Sequence, residues 1–206
     1  MPPEPYPSWQ RPTPWGTPLR SGGVRTRELG SFRHLALRFL GALSPAGPVP
    51  ADEAWARSLL LPGELALWQR MSGPDRRHAV GVARDTIARL SGDGVPATRP
   101  VAAAALLHDV GKVEAGLGTL ARVAVTLAAM VVGRERMVSA GSGAPVRSWR
   151  RRAAAYLTHD RIGERLLRHA GADELTVTWA AEHHLAPQGW TVARSVAEAL
   201  KAADGD

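Results

Sequence analysis

Cysteine is absent from this 206-residue chain, and lysine is scarce. Without cysteine there is no disulfide and no thiolate metal site, so any metal must be held by imidazole, carboxylate or water. Only Lys112 and Lys201 are lysines, so arginine carries the formal charge of +7. A basic surface attracts nucleotides, phosphates or nucleic acid. The charge fits either a compositional bias with one local anion site or a dedicated polyanion-binding surface.

Long apolar runs are also missing. The longest, at residues 123–132, is much shorter than the ~20 residues that a membrane span requires, and we interpret it as a buried helix. The first residues lack the basic start and apolar stretch of a signal peptide. We therefore predict no membrane span and a cytoplasmic location.

Alternating runs of β-branched residues are few, whereas alanine and leucine are abundant, which favours an all-α fold. Residues 1–30 are rich in proline and are predicted to form a disordered arm that carries Trp9 and Trp15. Residues 31–206 are predicted to form one helical domain. The predicted helices cover 31–43, a segment that starts near Asp52 as N-cap, 61–71, 74–90, an alanine-rich buried helix that opens at 100–107 and ends near Gly111, 117–136, 150–158, 162–169, 174–183 and 192–203, with a flexible loop at 139–146.

The histidines carry the strongest chemical signal. His108 and Asp109 follow an alanine-rich helix, and Gly111 then allows a sharp backbone turn. An imidazole and a carboxylate at a helix end can both reach one metal ion, and the carboxylate has a second oxygen with which to bridge to another ion. His169, in the last turn before a glycine, is instead interpreted as a structural helix cap.

The segment AALLHDVGK, residues 104–112, resembles the central motif of the HD superfamily of metal-dependent phosphohydrolases. The likeness is to its HDIG branch, because the Gly-Tyr-Pro signature of the HD-GYP branch is lacking. The family pattern is a histidine, a His-Asp pair, a histidine, a His-His pair and an aspartate. The matching residues, in this order within 65–206, are His78, His108, Asp109, His159, His183, His184 and Asp204.

The resemblance implies an HD-type helical bundle with two metal ions. One ion would be held by His78, His108, Asp109 and Asp204, and Asp109 would bridge to a second ion held by His159, His183 and His184. Manganese or iron is favoured by this ligand set, and zinc, nickel or cobalt also fits. Asp204 lies near the end of the chain, where chains often fray, so either metal binding pins this segment or occupancy is weak.

The resemblance further implies hydrolysis of a phosphoester by metal-activated hydroxide, with Asp109 and Lys112 as catalytic residues. The substrate would be a nucleotide, a cyclic dinucleotide or a similar small molecule. Lys112 would contact the substrate phosphate or pair with the last carbonyls of its helix. Further candidates for phosphate binding are Arg134, Arg136, Arg150 and Arg151.

Two other functions stay open at this point. The chain could be a non-catalytic HD-type nucleotide-binding or regulatory module, although the complete ligand set argues against that. It could also be an arginine-rich nucleic-acid-binding protein, whose binding would depend steeply on salt and not on chelators.

Overall fold

The computed structural model describes residues 46–205. These residues form α-helices joined by short loops and two 3-10 helices, and the described part contains no strand. The α-helices are α1 Pro50–Leu59, α2 Pro62–Arg70, α3 Gly73–Gly92, α4 Arg99–Leu107, α5 Thr119–Val132, α6 Arg134–Ser142, α7 Trp149–Leu157, α8 His159–His169, α9 Glu174–Glu182 and α10 Arg194–Asp204. The 3-10 helices are Val110–Glu114 and Pro187–Gly189. The all-α prediction is confirmed for this part of the chain, whereas the predicted arm with Trp9 and Trp15 and the predicted helix at 31–43 lie outside it.

Proline marks the start of each of the first four helices. The prolines, all at the first or second helical position, are Pro50, Pro62, Pro74 and Pro100. Proline is well tolerated there because its fixed φ suits a helix and its missing N–H would have no helical partner. Val49 rather than Asp52 is the N-cap of α1, and Asp52 lies in the first turn.

Helix α4 lies at the centre of the described domain. Every residue from Val101 to Leu107 is at most 2% exposed. Alanine occupies four of these positions, so α1, α2, α3 and α9 can approach its backbone closely. Because α4 ends inside the protein, the two residues that follow it, His108 and Asp109, are also buried.

The 3-10 helix after α4 passes very close to the start of α8. A Cβ atom added to Gly111 would lie 2.6 Å from the Gly163 nitrogen and closer still to the carbonyl oxygen of His159. The φ of Gly111 is not positive, so this glycine is required by close packing rather than by the sharp turn predicted from the sequence. The contact places the first residue of α8 beside the His108–Asp109 segment.

The apolar segment at 117–136 departs most from its prediction. It is not one helix, because Gly133 adopts a φ of +98° that ends α5, and α6 follows at once. Helix α6 extends to Ser142 and therefore occupies half of the predicted flexible loop at 139–146. The break fits glycine, which alone adopts such a φ without strain.

Helix α5 is also far less buried than predicted. Val125 is its only fully buried residue, and it packs in a small cluster with Leu117 and Leu157. On the opposite side, Met130 and Val131 are 78% and 87% exposed. The prediction of a buried helix is therefore wrong, since only one of its two apolar sides is covered by described residues.

No single helix in residues 46–205 is long and apolar enough to cross a membrane. The segments Arg99–Glu114 and Thr119–Val132 are long and apolar enough only when they are taken together, and a bend of 83° lies between them.

Candidate metal centre

Histidine and aspartate side chains from several helix ends converge beside α4. Two groups have potential ligand atoms within 4.8 Å of one another. One group comprises Asp109, His159, His183 and His184, and the other comprises His78, His108 and Asp204. All seven side chains named from the sequence fall into these two groups, and either group could hold a metal ion.

Asp109 stands between the two groups. Its Oδ1 atom lies 3.2 Å from His159 Nε2 and 3.8 Å from His183 Nε2. Its Oδ2 atom lies 3.5 Å from His108 Nε2, which belongs to the other group. Each oxygen of this carboxylate thus faces a different set of imidazoles, which is the arrangement that a bridging ligand requires.

The three histidines of the first group come from the start of α8 and the end of α9. The Nε2 atoms of His159 and His184 are 3.1 Å apart, and the rings of His183 and His184 lie with centroids 3.9 Å apart. His159 and His183 are buried, whereas His184 lies closer to the surface. The His159 and His184 nitrogens share one hydrogen bond in this arrangement, and both could instead coordinate a divalent ion.

The second group joins α3 to α10. Asp204 Oδ1 lies 2.9 Å from His78 Nε2 and 3.5 Å from His108 Nε2. Asp204 is only 6% exposed, because α10 buries Ala197 and Leu200 against its neighbours. The left-handed Gly205, whose N–H bonds to Lys201 O, then closes the helix. The last predicted ligand is therefore held in place by helix packing.

The histidines are oriented by backbone carbonyl groups. The Nδ1 atoms of His108, His159 and His183 lie 2.7–2.9 Å from the carbonyl oxygen three residues earlier. A carbonyl only accepts hydrogen bonds, so Nδ1 carries the proton and Nε2 is directed into the cluster. Such an outer hydrogen bond commonly fixes the ring of a metal-binding histidine.

Two of these inward-facing nitrogens lack hydrogen-bond partners. The Nε2 atoms of His108 and His183 are buried and have no hydrogen-bond partner among the described residues. A buried polar atom without a partner is costly and needs a reason. Coordination of a cation would satisfy both nitrogens, so these atoms fit a metal site.

The protonation of the cluster reflects its crowded charges. Burial alone would lower the pKa of His108, but the charge of Asp109, assisted by Asp204, raises it to about 9. Burial and the neighbouring His108 and His184 lower the pKa of His183 to about 2. Burial and the nearby His159 lower the pKa of His184 to about 4. Without a metal, a proton on His108 therefore stands between two carboxylates, where a cation would replace it.

Outer contacts hold the His-His pair from two sides. The Glu182 carboxylate accepts hydrogen bonds from the Thr191 hydroxyl at 2.6 Å and the Thr191 amide at 2.8 Å, which ties the following loop to the end of α9. Lys201 on α10 donates to the His183 carbonyl oxygen at 3.0 Å. The sequence analysis gave none of these residues a role at the site, because the sequence does not show which residues from other helices they contact.

Two further residues near the centre were also missed. The Tyr156 ring stacks on His159 with centroids 5.8 Å apart, and its hydroxyl lies 3.4 Å from Thr126 Oγ1 on α5. Arg122, also on α5, donates to the Asp75 carboxylate from both terminal guanidinium nitrogens, Nη1 and Nη2, at 2.5 and 2.9 Å. Tyr156 could have been noticed, since it is one of only two tyrosines and lies three residues before His159.

Lys112 lies within the site. Its ammonium group pairs with Asp109 Oδ2 rather than with the last carbonyls of α4. Burial would lower the pKa of Lys112, but the Asp109 charge raises it. Although burial would raise the pKa of Asp109, Lys112 and His108 hold it well below its usual value. A positive charge therefore lies directly beside the carboxylate that faces both groups.

The arginines proposed for phosphate binding lie on α6 and α7. Arg134 donates to the Leu157 carbonyl oxygen, and Arg151 donates to the Ser142 carbonyl oxygen at 3.0 Å. Arg136 and Arg150 are exposed. Within residues 46–205, no hydrogen bond or ion pair joins any of the four to the seven candidate ligands, so their role in substrate binding stays a prediction.

No protein-family model, curated protein or solved structure gives a significant match to this chain. The resemblance to the HD superfamily is therefore a prediction that depends on the sequence motifs.

Proposed function

We propose that this protein is a metal-dependent phosphoric ester hydrolase of the HD superfamily. Its substrate would be a nucleotide, a cyclic dinucleotide or a similar small phosphoester. The observation that carries the proposal is the position of Asp109, whose two oxygens face two separate groups of imidazoles. A carboxylate that bridges two ions is a common way to hold them at the short separation used in phosphoester hydrolysis.

The donor set favours particular metals. Five imidazoles and two carboxylates suit Mn²⁺ or Fe²⁺ better than Mg²⁺, which prefers oxygen ligands, while Zn²⁺, Ni²⁺ and Co²⁺ also bind such sites. When bound, two such ions supply an activated water and neutralise phosphate oxygens. One ion would be held by His78, His108 and Asp204, and the other ion by His159, His183 and His184. Asp109 would bind both ions.

The remaining chemistry belongs to the side chains. The carbonyl bonds to Nδ1 of His108, His159 and His183 keep their Nε2 atoms aimed at the ions before any ion arrives, which lowers the cost of organising the site. Lys112 adds an ammonium group with only 18% of its side chain exposed. In this position it would attract a phosphate oxygen and orient it toward the centre.

Metal content tests the proposal directly. Protein purified without a metal-affinity tag should contain about two equivalents of a transition metal by elemental analysis. Asp109→Ala should lose most of it, because each group loses its shared oxygen ligand. Asp85→Ala is the matched control, since this carboxylate on α3 forms an ion pair with Arg89 as its only partner within residues 46–205, and its loss should leave the metal content unchanged.

Activity is then measured on a synthetic phosphodiester and a phosphomonoester. We expect hydrolysis of at least one, abolished by a chelator, restored by Mn²⁺ or Fe²⁺, and absent in Asp109→Ala. A protein that binds no metal after reconstitution with Mn²⁺, Fe²⁺ or Zn²⁺ would refute the proposal. A protein that binds metal but hydrolyses no phosphoester would instead be a non-catalytic HD-type module.

A further inference from the structure

A cavity of about 560 Å³ lies between α7 and α8. Its volume is typical of pockets that hold small molecules. None of the seven candidate metal ligands lines it. The cavity is therefore a separate feature of the described domain, although α8 contributes both to it and, through His159, to the metal centre.

The walls of this cavity are strongly basic. Arg151 and Arg152 come from α7, and Arg165 and His169 come from α8. The acidic residue of the lining is Glu114, whose carboxylate is already bound by Arg70 at 2.6 Å. The cavity thus presents guanidinium charge that its own acidic group does not neutralise.

The guanidinium groups are positioned without being neutralised. Arg152 donates from Nε to the Ala115 carbonyl oxygen at 3.0 Å and from Nη2 to the Gly116 carbonyl oxygen. Arg151 donates from Nη1 to the Ser142 carbonyl oxygen. Carbonyl groups carry no net charge, so each arginine keeps its charge and several of its five N–H donors. Within residues 46–205, Arg165 has no acidic partner.

The rest of the lining is apolar. Val146 and Ala155 contribute to it, together with Ile162 and Leu166 on α8. A ligand that fits both the basic and the apolar parts of the lining combines an anionic end with a flat or apolar body. Planar guanidinium groups recognise phosphate oxygens through paired hydrogen bonds, so a phosphate is the anion that this arrangement suits best.

We propose that the cavity between α7 and α8 binds a nucleotide-sized phosphorylated molecule at a site separate from the metal centre. The site depends on Arg151, Arg152 and Arg165 for the phosphate and on Ile162 and Leu166 for the body of the ligand. It does not require the metal-dependent activity proposed above, because no residue of the metal centre contributes to it.

The probe is α,β-methylene-ADP, which resists hydrolysis, titrated into the full-length protein by calorimetry. Arg165→Glu reverses a charge in the cavity without removing a hydrogen bond between described side chains. Arg161→Glu is the matched control, because Arg161 is exposed on the same helix but does not line the cavity. With a chelator present to remove binding through metal ions, we expect wild-type protein to bind one equivalent, Arg165→Glu to bind at least 10-fold more weakly, and Arg161→Glu to bind within about 2-fold of wild type.

Asp109→Ala separates this site from the metal centre. Binding to the cavity should persist in this variant, whereas binding through metal ions should be lost. Equal weakening in the two arginine variants would show only nonspecific attraction to a basic surface and would overturn the proposal. No saturable binding by the wild type, or binding that disappears in Asp109→Ala, would overturn it as well. Circular dichroism of each variant shows that any loss is not caused by unfolding.

Discussion

At the scale of single residues, the site depends on how two carboxylates are placed between two groups of histidines. Asp109 shares its oxygens between two groups of histidines, and Asp204 closes one of them. The two groups have different ligands apart from Asp109, so they should be separable by substitution. This independence gives the first prediction.

His184→Ala should remove about one metal equivalent and leave the other, because His184 belongs only to the group with His159 and His183. His78→Ala should likewise remove one equivalent from the other group. Elemental analysis of both variants checks the expectation, with His169→Ala as control, since His169 caps α8 through the Arg165 carbonyl oxygen. If His184→Ala loses both ions, the groups do not bind independently.

A second prediction concerns a polar pair beside the centre. Asp75 and Arg122 form a two-bonded ion pair with side chains that are 12% and 15% exposed. Asp75→Asn should destabilise the protein by about 3 kcal/mol, since removing one partner leaves the other charge buried. Chemical denaturation at pH 6 measures the difference, and Asp85→Asn, in an exposed pair, should cost less than about 1 kcal/mol.

The pH dependence of that difference has a definite sign. Although burial opposes it, Arg122 lowers the pKa of Asp75 below 3.8 in the folded protein. A lowered carboxyl pKa contributes stability that is complete above the unfolded pKa and lost as pH falls through the folded value. The difference in the free energy of unfolding between wild type and Asp75→Asn should therefore be constant above about pH 5 and become smaller below about pH 4. A gap that widens in acid would contradict this assignment.

At the scale of elements, helix positions follow from close backbone contacts. Gly111→Ala should push α8 away, because the new methyl group would overlap the backbone at His159 and Gly163. We expect a loss of roughly 3 kcal/mol or more, together with loss of the metal bound by His159.

Gly81→Ala is the comparison for this substitution. Gly81 lies within α3, where an added Cβ atom meets nothing within 4 Å. Alanine there should stabilise the protein by about 0.5–1 kcal/mol. Thermal denaturation of the two variants is the measurement, and a harmless Gly111→Ala would mean that α8 can move without cost.

Helix α5 supplies another element-scale test, since its two apolar sides differ in burial. Val125 is 1% exposed and Val131 is 87% exposed. Val125→Ala should cost about 2 kcal/mol through the lost packing, whereas Val131→Ala should stay within about 0.5 kcal/mol. Equal costs in denaturant unfolding would mean that the outer side of α5 is covered in solution.

The same helix shows what the sequence could and could not predict. Local residue patterns predicted most helices to within a few residues, because helix propensity and periodicity act locally. The alanine-rich run before His108 predicted burial, which α4 confirms. Whether a neighbour covers the outer side of α5 depends on tertiary packing, which periodicity does not encode. The same limit applies to Glu182, Lys201 and Tyr156, whose contacts join residues from different helices.

At the scale of the whole molecule, the candidate ligands connect helices that are distant in sequence. His78 lies on α3, Asp204 ends α10, and His183 follows α9, while Asp109 follows the central α4. Ions bound at these positions would link the described domain across its core. In their absence, the buried Nε2 atoms of His108 and His183, which have no hydrogen-bond partner among the described residues, oppose the same packing.

Metal binding should therefore stabilise the entire fold. An ion present at 100 times its dissociation constant adds about 2.7 kcal/mol to the free energy of unfolding, which for a protein of this size raises Tm by roughly 5–10 °C. Thermal unfolding with Mn²⁺ and with a chelator measures the shift. Mn²⁺ should raise the Tm of Asp85→Ala as much as it raises that of the wild type, whereas it should raise the Tm of Asp109→Ala by less than about 2 °C. A full shift in Asp109→Ala would place the stabilising ion elsewhere, because loss of the shared carboxylate weakens both groups of ligands at once.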